Sequence, residues 1–260
     1  MSLYVGNTEI KDLYYGNKSV SAYCNGEWIW PATPPIPPVS TFTLRMQYKP
    51  GTSPSPYYEG ATVTQVTASP NVWDVTYNNT DWSYLMHGDT NLIAVLDANT
   101  TGVISMASLF DGCTDLETIV LFDTSSVTAM DNMFLDCHSL TSVPLFNTSS
   151  VTSMWGMFHE CWAITSLPSF NVSNVGSIGY ICCGMRSLTA LPNWNFTGVF
   201  NCECAFAYTQ QAQSGITTMY NRLKNTADNY VGTFFHCGDN TTAGAAELAQ
   251  IPSSWKSNPW

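Results

Sequence analysis

The chain has 260 residues, with 8 Lys or Arg against 19 Asp or Glu, so its formal net charge is −11 with neutral histidines. This balance excludes nucleic acid and anionic membrane surfaces as partners, since both are bound through clustered cations that replace counterions. With 45% hydrophobic, 13% aromatic and only 10% charged residues, the chain is too apolar for disorder, and Ser, Thr and Asn must supply its polar surface.

The first residues contain no basic region followed by an apolar run, so no secretory signal is expected, and no apolar stretch approaches the roughly 20 residues of a membrane helix. Tyr4-Val5-Gly6-Asn7, Tyr14-Tyr15-Gly16-Asn17 and Tyr23-Cys24-Asn25-Gly26 recur about ten residues apart. Gly-Asn and Asn-Gly suit hairpin turns, which predicts a small β-meander over 1–30. Such a meander is marginal by itself and is expected to dock on another chain. Tyr4, Tyr14, Tyr15, Trp28 and Trp30 are its candidate docking side chains. Five prolines in residues 31–38 then make an extended spacer. Residues 39–98 alternate apolar and polar positions (Phe42, Leu44, Met46, Tyr48) and are expected to form a β-rich N-terminal cap.

Four gapless segments of 24 residues follow, at 99–122, 123–146, 147–170 and 171–194. Their aligned columns include Val103/Val127/Val151/Val175, Met106/Met130/Met154/Ile178 and Cys113/Cys137/Cys161/Met185. Within a unit, Val151, Met154, Met157, Phe158 and Cys161 lie three or four apart, which predicts a short helix entered through Ser149 and Ser150. The stretch from Leu140 to Phe146 predicts a strand. An Asn or Asp opens each unit and is expected to bond backbone groups at the turn. The expected architecture is therefore α/β: a repeat solenoid over 99–205, preceded by the meander and the β-rich cap. Residues 206–260 are expected to close it as a helical cap, with helices near 217–224 and 242–250, the second stopped by Pro252.

The segment Ser149–Cys161, reading S-x-V-T-x-M-x-x-M-F-x-x-C, and the Ser-Leu-Thr-Ser run at 139–142 resemble the BspA-like leucine-rich repeat. That resemblance covers under half of the chain. It implies proteins displayed at surfaces, mostly bacterial adhesins, with copies on bacteriophage virions. The N-terminal segment is also similar to modules on structural proteins of tailed phages of gut bacteria.

Chemical sites are sparse. Nine cysteines, three of them at one fixed interval, read as mostly reduced packing residues, and Cys182-Cys183 and Cys202-Glu203-Cys204 lack the spacing of a zinc or redox motif. His87, His138, His159 and His236 lie near no nucleophile motif. No phosphate loop or dinucleotide fingerprint occurs. No catalytic residue, metal or cofactor is expected. One column has two readings: Phe122, Phe146, Phe170 and Trp194 form an exposed binding stripe if each strand alternates strictly from Ile119. They become core if the chain bends at Pro144, Pro168 and Pro192.

Together these features predict a structural, adhesive virion protein, a head or tail fibre or decoration, made in a bacterial cytoplasm. Residues 1–30 would hold capsid or tail proteins, and the repeats would meet a host-surface polysaccharide or protein. The alternatives are a bacterial surface adhesin and a tail-spike depolymerase using a carboxylate pair. No coiled-coil heptads enforce an oligomer, so homo-oligomerisation stays open.

Overall fold

A five-stranded mixed sheet follows the spacer. Its strands are β6 (Thr43–Tyr48), β7 (Thr62–Gln65), β8 (Val72–Thr76), β9 (Leu92–Asn99) and β10 (Thr118–Ile119), in the order β10-β9-β6-β8-β7. β10 runs parallel to β9, and every other pairing is antiparallel. Leu44, Met46 and Tyr48 of the central strand bury one face against the main core. On the other face Arg45 meets its cross-strand partner Asp74 through two parallel bonds, Nε to Oδ1 at 2.7 Å and an Nη to Oδ2 at 2.6 Å. This fork neutralises a guanidinium that the sheet buries almost completely.

The computed structural model describes residues 42–57, 60–66, 69 and 71–259, and the backbone alone of five short strands between residues 3 and 30. Of those strands, β1 (Leu3–Val5) and β2 (Thr8–Ile10) form one hairpin, and β3 (Asp12–Tyr15), β4 (Val20–Cys24) and β5 (Glu27–Trp30) form an antiparallel three-stranded sheet. The side chains of Tyr4, Tyr14, Tyr15, Trp28 and Trp30 fall outside the described residues, as does the 31–38 spacer.

The repeats depart from expectation. The predicted fold class, an α/β solenoid of helix-and-strand units with a helical cap, is overturned: regular structure in the described body is the mixed sheet, two short α-helices and one turn of 3-10 helix. No unit between 99 and 194 contains a helix. The Met154–Cys161 segment instead runs as consecutive turns. The amides of Met157, His159 and Cys161 bond back to Met154, Gly156 and Phe158 at 3.0–3.3 Å. Those of Met154, Gly156, Phe158 and Glu160 bond across to Ser177, Gly179, Ile181 and Cys183 of the next unit. A left-handed residue every fourth position forces this alternation, with φ of +62° at Gly156 and +57° at Glu160. A helix needs φ near −63° throughout and unbroken i to i−4 bonds, so it cannot pass through these points. The three-and-four apolar spacing is real, but tandem turns produce it as well as a helix does.

The predicted strands fail for a different reason. Thr118–Ile119 pairs with β9, and Val120 still donates to Val95. In the next three units Pro144, Pro168 and Pro192 occupy the column of Val120. Proline has no N–H to donate, so the ladder stops. Successive units are instead joined by single parallel bridges, Asp81 to Ser105 to Ala129 to Ser153 to Ser177 to Asn201 to Asn229.

The turn pattern thus begins within the sheet region at Asp81 and continues to Cys237. α1 (Ile216–Leu223) and α2 (Thr242–Leu248) lie beside these last turns and do not form a separate helical cap. α1 buries Ile216, Met219 and Leu223, and Thr241 caps α2 by accepting from the Gly244 amide at 3.0 Å. Inside the stack, Phe110, Phe134 and Phe158 lie face over face at 5.8 and 5.9 Å. The thiols of Cys113, Cys137 and Cys161 donate to the carbonyls of Met86, Phe110 and Phe134.

Candidate binding surface

The column Phe122, Phe146, Phe170, Trp194 does not form an exposed stripe: the four side chains are 5%, 2%, 4% and 0% exposed. Tight turns at the prolines rotate them inward, with the amides of Phe146 and Phe170 bonding to the carbonyls of Pro144 and Pro168 at 3.0 Å. Phe146 packs 6.3 Å from Phe134, and Phe170 packs 6.1 Å from Phe158. The Trp194 indole N–H donates to the Pro168 carbonyl at 2.8 Å. These rings are core.

The cysteines are equally inward. All eight described ones are free and buried. Burial pushes the thiols of Cys183, Cys202 and Cys237 up to about 12, and those of Cys113, Cys137, Cys161, Cys182 and Cys204 upward too. They are held as thiols, the inert form. Among the described residues no three His, Cys, Asp or Glu side chains converge as metal ligands would.

What faces outward is set by the turns. Several side chains at left-handed positions, among them Tyr84 and Glu160, reach the surface, although Ser108 and Cys204 at such positions are buried, and two aromatic clusters result. In the first, Tyr57, Tyr84 and His87 meet at the end nearest the sheet. The Tyr57 amide donates to the Leu85 carbonyl at 2.9 Å, which brings a loop from before β7 against the first turn unit. Ring centroids lie 6.5 Å apart for Tyr57 and Tyr84, 5.8 Å for Tyr84 and His87, and 6.4 Å for Tyr57 and His87. Tyr57 is 65% exposed and Tyr84 44%.

Beside these rings lies a cleft of about 430 Å³, lined by Ser55, Tyr57, His87, Asp89, Thr90 and Asn91 among others. Its floor is fixed by Asp89, which is buried and accepts from the Tyr48 hydroxyl at 2.8 Å and from the Asn91 amide at 3.1 Å. His87 Nδ1 is 3.4 Å from Asp111 Oδ2. Desolvation raises the Asp111 carboxyl above its ordinary value, although the neighbouring His87 opposes that shift. No Lys or Arg lines the cleft. Lys49 nearby is taken up by the Asp115 carboxylate and by the Thr90 carbonyl, the latter at 3.0 Å.

The second cluster crosses three units. His138, Trp162 and Arg186 occupy one column, 24 residues apart. The His138 ring lies 3.6 Å from Trp162 at an interplanar angle of 8°, and the Arg186 guanidinium sits 4.4 Å from the indole centroid. Glu160 accepts from the Trp162 indole N–H and lies 3.4 Å from an Arg186 nitrogen. It reaches this place over Gly184, where a Cβ would sit 2.3 Å from Glu160 Oε1. Nearby, Tyr180 packs against Trp155 at 5.2 Å and His159 at 5.6 Å. Burial lowers the His159 imidazole below its ordinary value, against the opposing pull of Glu160. A cleft of about 300 Å³ lies alongside, lined by Glu160, Gly184, Arg186, Tyr208 and Gln210.

Sequence reasoning missed both clusters. The available signal was divergence inside the repeat: Tyr84/Ser108/Asn132/Gly156/Tyr180 and Thr114/His138/Trp162/Arg186/Gln210 are columns that hold no fixed residue type while the core columns do. Core columns repeat because they stack, whereas the diverging columns mix exposed members such as Tyr84 and Arg186 with buried ones such as Ser108.

A model of the family described as "Mycoplasma protein of unknown function, DUF285" matches residues 61–143, 78–194 and 104–219, which together run over more than half of the chain. No curated protein and no solved structure matches it. The repeat-bearing body is the part that carries the match, and the chain belongs to the DUF285 family.

Proposed function

We propose that the protein is a structural, adhesive display protein without catalytic activity, held out from a larger object and binding a host surface through its outward-facing turns. The observation that carries this reading is the exposed Tyr57–Tyr84–His87 cluster beside a polar cleft, on a body whose conserved-type columns are spent on packing. Clustered exposed rings mark interaction surfaces more often than isolated ones do. Membership in the DUF285 family supports the coarser part of the reading, a surface protein of the BspA-like kind.

The finer part is the carrier, which we take to be a bacteriophage virion. Support comes from the aromatic segment 1–30 followed by the proline spacer 31–38, a pattern suited to docking and then projecting a body. Immunogold labelling of purified particles with antibody to residues 99–205 should decorate them, and deletion of residues 1–30 should remove the label while the body stays folded. Unlabelled particles overturn the virion assignment. Label on intact bacterial cells in place of particles turns the reading into its alternative, a bacterial surface adhesin, which the family match favours.

A further inference from the structure

The Tyr57–Tyr84–His87 cluster and its cleft can be read further, on the basis of the adhesive reading above. We infer that this site binds an uncharged oligosaccharide, with the tyrosine rings stacking on sugar C–H faces and the cleft supplying hydrogen bonds.

Three observations select this class. First, Tyr57 and His87 line the cleft and Tyr84 packs beside them, the two tyrosine rings standing 6.5 Å apart, tilted at 43°, and 65% and 44% exposed. A pair of inclined, solvent-exposed rings suits ring-shaped ligands that are apolar on their faces and polar at their edges. Second, the cleft wall is made of short polar groups: the Ser55 and Thr90 hydroxyls, the Asn91 amide and the His87 imidazole. Each offers a hydrogen bond at close range, as hydroxyl-rich ligands require. Asp89 anchors the floor through its bonds to Tyr48 and Asn91, so the cleft needs little ordering on binding.

Third, the electrostatics reject an anionic sugar. The cleft carries no Lys or Arg, and Asp89, Asp111 and Asp115 lie in or beside it. Lys49, held at the cleft edge by the Thr90 carbonyl, is paired with Asp115. A uronate or sialate carboxylate entering here would lose hydration, compete with Asp115 for Lys49, and meet like charge. The second cleft does contain Arg186, but its lining holds one aromatic ring, Tyr208, and the neighbouring Trp162 is already covered by His138 and Arg186.

The test is equilibrium titration of the full chain with neutral hexaoses (cello-, manno- and N-acetylglucosamine series) against oligogalacturonate and sialyllactose. At least one neutral hexaose should bind and the two anionic probes should not. Tyr57→Ala and Tyr84→Ala should each weaken that binding about tenfold or more, while Tyr57→Phe, which keeps the ring, should stay within about twofold. Saturation transfer from tyrosine ring protons to sugar C–H protons on the unmodified chain gives a readout independent of any variant. Preference for the anionic probes, unchanged binding in both alanine variants, or saturation arriving from other residues overturns the site. If no hexaose binds but the chain still adheres to host cells, the sugar assignment fails and the adhesive reading stands. If adhesion is also absent, both fail.

Discussion

The two surface aromatic clusters, Tyr57–Tyr84–His87 and His138–Trp162–Arg186, end in different states. At Trp162 the stack of units places His138 on one face and Arg186 near the other, with Glu160 taking the indole N–H, so the ring is consumed by its own neighbours. At Tyr57 and Tyr84 the first turn unit has no preceding repeat, and a loop from outside the repeat supplies the partner ring. Residues 24 positions to either side cover the Trp162 ring, whereas the Tyr84 ring meets Tyr57 and His87 and stays 44% exposed. The proposed site accordingly lies where the repetition begins.

The largest expected effect comes from the core beneath the closed cluster. Phe134 lies between Phe110 and Phe158, and Phe134→Ala should cost about 3–5 kcal/mol in denaturant unfolding. Tyr57→Ala at the open cluster should stay within about 0.5 kcal/mol. Comparable losses at the two positions would erase the distinction between inward and outward rings.

Next is the closed cluster itself. Trp162→Ala removes a stacked pair, a cation–π contact and a hydrogen bond to a carboxylate, and should cost about 1–3 kcal/mol by the same measurement. Tyr84→Ala should cost far less, since its ring is half in water.

Acidification sharpens the contrast further. His159, packed on Tyr180 near Trp162, has its folded-state imidazole held below the ordinary value by burial. The unfolded chain therefore takes up this proton first, so the contribution is present above about pH 6.5 and is lost as pH falls below it. Thermal unfolding of the native chain should drop between pH 7 and 5, and His159→Gln should reduce that drop. The opposite sense applies to the buried thiols: stability falls as pH rises above their ordinary value of 9.0 towards 12, because the unfolded state then loses protons that the folded state retains.

The smallest effect concerns backbone strain. Gly88, Gly112, Asp136, Glu160 and Gly184 share one left-handed column. Asp136→Gly should gain about 0.5–1 kcal/mol by relieving a φ of +57°. Glu160→Gly should gain less or lose, because that side chain holds Trp162 and Arg186. Calorimetry of the two variants side by side checks the difference.

The 24-residue period, the inward columns and the turn chemistry were legible in the residues. Asp123, Asn147 and Asn171 do accept from the amides two positions on, those of Ser125, Ser149 and Ser173, at 2.9–3.1 Å. The helices were misread because tandem turns with a left-handed residue every fourth position bury the same three-and-four pattern as a helix, and Tyr180, Asp136 or Glu160 at such positions gives no warning. The strand ladder was overestimated because three prolines sit where its donors should be. The open cluster was invisible for a tertiary reason: Tyr57 and Tyr84 are 27 residues apart and belong to different patterns, and they meet through tertiary contacts such as the Tyr57–Leu85 backbone bond.

Hydroxyl-radical footprinting of the full chain, free and with the neutral hexaoses, tests the open-versus-closed contrast most directly. The account predicts rapid labelling of Tyr57 and Tyr84 in the free protein, protection of both by a bound hexaose, and slow labelling of Trp162 and Phe146 in either state. Labelling of Trp162 as fast as Tyr57, or sugar protection that appears at Trp162 and spares Tyr57, would contradict it.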